Sequence, residues 1–135
     1  MSRDAFGFLS EFGFTNAPLP QQEFVNPFQV RFTNGKVIIV VEGIHWGYGA
    51  DVQLEDTAGV SVPLVLFVPR DHRKAQVQRR AGEPDQCVQV RTAAQRVKEH
   101  CVDLLQGDMT RFYDRATEWK RMTGHDRSYQ KRVLP

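Results

Sequence analysis

No stretch of this chain constrains its fold more than FQVRFTNGKVIIVV, residues 28–41. Phe28, Val30 and Phe32 alternate with Gln29, Arg31 and Thr33, the period of a strand with one buried face. Asn34-Gly35 follows, and both residue types tolerate the positive φ that a two-residue type I′ hairpin needs. Such a turn pairs Phe32 with Val37, Val30 with Ile39 and Phe28 with Val41, so turn chemistry and hydrophobic pattern agree on one buried face. Ile38 and Val40 fall on the opposite face, which is expected to be partly covered, for instance by the N-terminal helix.

The pattern continues past the hairpin. Ala50, Val52 and Leu54 alternate with Asp51, Gln53 and Glu55, a third strand, and Asp56-Thr57-Ala58-Gly59 reads as a turn. Val60–Val68 is apolar and β-branched, and Pro63 places it at a sheet edge as a fourth strand, with a short helix as the rival reading. Upstream, Ala5, Phe8 and Phe12 approach helical spacing, Gly13 suits a helix end, and TNAPLPQQ at 15–22 reads as a loop.

The second half is helical. Val90, Ala93, Ala94, Val97, Cys101, Leu104 and Leu105 form one apolar stripe. Gly107 suits a left-handed C′ position and Asp108 an N-cap, after which Phe112, Ala116 and Trp119 repeat the stripe to about Met122. Residues 90–122 therefore read as an αα-hairpin that Gly124 ends, followed by a loosely held basic tail at 124–135. The polar segment 69–86 reads as a long mobile connection. The sum is one α+β domain over 1–135: a four-stranded antiparallel meander, a short N-terminal helix and a C-terminal αα-hairpin in two layers.

Composition narrows the function classes. With 41% hydrophobic and 25% charged residues the chain is ordinary globular material that can fold without metal or disulfide staples. No 18-residue apolar run offers a membrane span. Asp4 and Glu11 interrupt the N-terminal apolar residues, so no export signal is expected and a cytoplasmic location is. Cys87 and Cys101 are then reduced thiols, and one pair 14 apart lacks the ligand set of a zinc site. Charge is divided: residues 1–69 carry net −4 and residues 70–135 net +6.

His45, Trp46 and Tyr48 stand between glycines in the connection after the hairpin, at the rim of the sheet, with Asp51, Glu55 and Asp56 downstream. Aromatics with polar handles beside carboxylates make a partner-binding surface, in which Trp46 and Tyr48 anchor and the acids steer. The plainer alternative is that Trp46 and Tyr48 close one end of the core. Glu42, Asp51 and Glu55 show no spacing that marks acid–base catalysis, and His100-Cys101 point about 100° apart on a helix, too far apart for a nucleophile and its base. No catalytic residue, metal ligand or cofactor is assigned. Arg70, Arg73, Lys74, Arg79 and Arg80, with Arg127, Lys131 and Arg132 in the tail, form the basis of an alternative: a module for nucleic acid or another anionic partner. The lack of aromatics between Phe67 and Phe112 to stack bases argues against that alternative.

Three passages, NPFQVRFTNGKVIIVVEG, WGYGADVQLED and CVDLLQGDMTRF, in this order resemble the small cytosolic immunity proteins that bacteria encode beside polymorphic or secreted toxins, including those of type VI secretion. The resemblance covers most of residues 26–112 and fixes no site residue. It implies a non-enzymatic protein that binds one cognate toxin as a heterodimer and covers its active site, with no small-molecule substrate and no membrane contact.

Overall fold

A computed structural model describes residues 2–16, 29–44 and 49–133. The chain runs α1 (Ser2–Ala5), a 3-10 helix (Gly7–Phe12), then strands β1 (Thr15–Asn16), β2 (Gln29–Thr33), β3 (Val37–Ile44), β4 (Gly49–Asp56) and β5 (Ser61–Pro63). Two 3-10 turns follow at Leu64–Phe67 and Arg70–His72, then α2 (Asp85–His100), α3 (Val102–Leu105) and α4 (Thr110–Val133). The fold is α+β, and its sheet is an antiparallel meander in sequence order.

The sheet has five strands, not four. Thr15 and Asn16, in the segment expected to be a loop, pair with Thr33 and Phe32. The fifth strand is cut short: Pro63 cannot extend the ladder, and Leu64–Phe67 coils into a 3-10 turn that buries Leu64, Leu66 and Phe67.

The hairpin register also differs, by two residues. Phe32 opposes Ile39 and Val30 opposes Val41. Asn34 is not a central turn residue; its Oδ1 accepts from the Lys36 and Val37 amides at 2.9 and 3.0 Å, leaving Gly35 (φ 90°) and Lys36 at the tip. A two-residue shift preserves the side each residue faces. Val30, Phe32, Val37, Ile39, Val41, Val52, Leu54 and Val62 accordingly line the core face. Phe6 and Leu9, three apart in and before the first 3-10 helix, are buried there, with the expected Ala5, Phe8 and Phe12 packed against the core half-buried, and the Phe6 ring stacks on Phe32 at 5.6 Å.

The helices seal this face with Val90, Val97, Leu104 and Phe112, each 1% exposed or less. The stripe from Val90 to Leu105 is not one helix. α2 ends at His100, and Cys101 (φ −121°) turns the chain and buries its thiol. The His100 carbonyl freed by that break accepts from the Arg111 guanidinium. Gly107 and Asp108 do take the expected roles: their amides close on Leu104 and Asp103 carbonyls, and Asp108 Oδ1 caps the Thr110 amide. Gly124 does not stop the last helix, which runs to Val133; a glycine inside a helix costs only about 1 kcal/mol.

Candidate functional site

Strand register sorts the proposed contact residues. On the face away from the core, cross-strand rows run Gln29–Glu42–Asp51, Arg31–Val40–Gln53 and Thr33–Ile38–Glu55. Asp51 and Glu55 therefore share the outer face with Glu42. Asp56 does not. It lies in the core-facing row of Val52 and Leu54, is 5% exposed, and its Oδ1 accepts from Ala58 and Val60 amides at 3.0 and 2.8 Å. It shapes the turn into β5 and is withdrawn from solvent. His45, Trp46 and Tyr48 lie outside the described residues.

Glu55 is held within the protein. Its Oε1 pairs with Arg31 Nη2 at 3.0 Å across β3, and the two side chains are 19% and 11% exposed. Beneath them Val40 is 3% exposed, so this face carries buried as well as polar surface, as Ile38 and Val40 led us to expect. Asp51 is half-buried, and its Oδ2 accepts from Gln53 Nε2 at 3.0 Å. Its direct cross-strand partner is Glu42. Two carboxylates so placed repel, and such opposed like pairs destabilise a sheet. Two further rows, Gly43–Ala50 and Ile44–Gly49, follow this acidic row before the β3–β4 pairing ends.

Two cations of the basic alternative also make internal bonds. Arg73 Nε donates to the Val68 carbonyl at 2.9 Å, and Arg79 donates to the Glu83 carbonyl at 2.7 Å and to Asp85 at 2.5 Å. The connection 69–84 is not loose. α2 grips it with two arginines: Arg91 takes Glu83 bidentately at 2.8 Å and the Gln78 carbonyl at 2.7 Å, and Arg96 takes the carbonyls of Arg73 and Ala75. Buried Thr92 adds an acceptor for the Val77 amide at 3.2 Å while donating to Val88. The Arg91 pair and the Arg80 amide hold the Glu83 carboxyl below its usual range. Sequence reading missed Arg91, Thr92 and Arg96, which stand among many other polar residues of α2 and leave no pattern that sets them apart.

Cys101 is buried among apolar side chains, which pushes its thiol up to about 12, so it is no nucleophile. His72 and His100 approach with ring centroids 5.9 Å apart, but among the described residues no group of three or more His, Cys, Asp or Glu could hold a metal. Nor, among them, is any helix long and apolar enough to cross a membrane. No family model matches the chain, and neither a curated protein nor a solved structure matches it.

Proposed function

We propose that this chain is a cytoplasmic, non-catalytic immunity protein that binds a cognate toxin and covers its active site. The observation that carries this reading is the Glu42–Asp51 pair, two carboxylates directly opposed on β3 and β4 two rows before the pairing ends at Ile44 and Gly49. Charges arranged to complement a basic partner surface act by steering encounter and fixing register. Trp46 and Tyr48, which follow in sequence, are residue types of the kind that dominate interface energies. Glu55 and Asp56 recede to scaffolding in this reading, since Arg31 and the β4–β5 turn already occupy them.

The test takes any toxin domain encoded by the neighbouring open reading frame and measures its association with this chain. Glu42→Lys and Asp51→Lys together should slow association by about tenfold or more at low salt and erase much of its salt dependence, because steered encounter rides on such charges. Unchanged association and unchanged protection of cells by a folded double variant discards the site.

A further inference from the structure

The connection 69–84 leaves a cavity of about 250 Å³ between itself, α2, the start of β4 and the segment after β5. Its floor is apolar, made by Val52, Leu64 and Ala93, all buried. Its rim is rich in donors: Arg73 and Gln76 from the connection, Gln89 and Arg96 from α2.

The two arginines are aimed rather than free. Arg73 is fixed through Nε to the Val68 carbonyl. Arg96 is fixed through Nη2 to the carbonyls of Arg73 and Ala75, at 2.5 and 3.2 Å. Both Nη atoms of Arg73, and Nε and Nη1 of Arg96, make no bond to a described residue, and none of them is sealed from solvent. Gln89 Oε1 accepts the Ala50 amide at 2.8 Å, which leaves its Nε2 as a further donor. Against two guanidinium groups the lining sets one carboxylate, Asp51, and that already accepts from Gln53.

Two like charges brought together on the rim of one concavity, each oriented by a backbone carbonyl and each with a donor edge left over, are complementary to an anion. Guanidinium edges match oxyanions by paired hydrogen bonds. The apolar floor accommodates a short carbon skeleton behind the anionic head. We propose that this cavity is a binding site for a small oxyanion-bearing ligand, its phosphate or carboxylate held by Arg73 and Arg96 with Gln76 and Gln89 completing the donor set. The site stands on other residues than the outer-face acids, apart from Asp51 at its wall, and it requires no protein partner.

The test is titration of the free chain with inorganic phosphate and, separately, acetate, at constant ionic strength set by chloride, followed by amide chemical shifts. The expected result is saturable shifts confined to residues 50–52, 73–76 and 89–96. Saturation by phosphate alone names a phosphate head, by acetate alone a carboxylate head, and by both an unselective oxyanion site. Arg73→Gln should weaken binding by about tenfold, the loss of one charge-assisted contact. Gln76→Glu, at an exposed residue with no bond to the described fold, should abolish it while the spectrum stays native. Shifts that rise linearly, scatter over the surface, or saturate equally in both variants overturn the assignment.

Discussion

The side-chain amide of Asn34 donates to the main-chain carbonyl of Leu104 at 3.3 Å, across 70 residues of sequence. One short polar side chain thus does two tasks. Its oxygen closes the β2–β3 turn on the Lys36 and Val37 amides, and its nitrogen caps the open end of α3, a helix of one turn. Lys36 adds Nζ to the Gly107 carbonyl at 3.4 Å, a cation at a helix C-terminus. The hairpin tip is in this way docked on the corner between α3 and α4.

Asn34→Ala removes two turn bonds and the cap. At roughly 0.5–1.5 kcal/mol for each bond, urea unfolding should show a loss of about 2–3 kcal/mol. Asn34→Asp keeps both turn acceptors, loses the donor, and sets a negative charge at the helix C-terminus. It should lose about 1–2 kcal/mol, less than alanine. An Asn34→Asp variant as stable as the parent would show that the contact with α3 carries no stability, and equal losses in the two variants would show that the turn bonds carry none.

The two thiols should separate by reactivity. Cys87 is half-buried at the start of α2, and Cys101 is 1% exposed with its thiol raised to about 12. Native protein at pH 8 with a thiol reagent should take one label per chain, on Cys87, and a second only in denaturant, since the thiolate is the reactive form. Rapid labelling of Cys101 in native protein would mean that the corner between α2 and α3 opens readily.

Acid should loosen the connection 69–84 before the core. Glu83 is held below its ordinary value of 4.5 chiefly by Arg91, then by the Arg80 amide. Asp108 is lowered too, first by the Thr110 amide. A depressed carboxyl contributes stability that is fully present above its unfolded value and is lost as pH falls through its lower folded value. Protection factors for hydrogen exchange at 78–83, taken against the intrinsic rate at each pH, should therefore fall below pH 4.5, while Val90 and Val97 stay protected. Glu83→Gln should show the fast exchange already at pH 7. Protection in that variant equal to the parent would mean that Arg96 and Thr92 alone secure the connection.

The parts legible in sequence are those whose cause is local. Alternation from Val30 to Leu54 placed the core face, and Gly107-Asp108 placed the helix corner, because φ preference and capping act within a few residues. The register was two residues off because Asn34 was read for its backbone tolerance and not for its side-chain oxygen. β1 escaped notice because two residues carry no period, and only Phe32 and Thr33 opposite make them a strand. The ties of the site were invisible for a similar reason. Arg31–Glu55 and Arg91–Glu83 join residues 24 and 8 apart, and no spacing rule predicts which arginine meets which acid. Within the basic run at 70–80, the carbonyls that receive Arg73 and Arg79 were likewise hidden, because sequence shows the charges and not their acceptors.

Glu42 and Asp51 offer a test in which stability and binding move in opposite directions. An opposed like pair on a sheet costs roughly 0.2–1 kcal/mol. Asp51→Asn removes one charge and retains an oxygen for the Gln53 amide, so the bond now at 3.0 Å survives. The variant should be more stable than the parent by a few tenths of a kcal/mol, read as a higher urea midpoint at unchanged slope. A residue that served the fold alone would leave binding untouched by this change. If the pair exists to meet a basic surface, the more stable variant binds the proposed partner more slowly, with dissociation little altered, because a partly exposed charge acts mainly on the rate of encounter. A gain in stability without any loss in association would make the pair an accident of the sheet, and a loss of stability would show that Asp51 is held by its neighbours more firmly than Glu42 repels it.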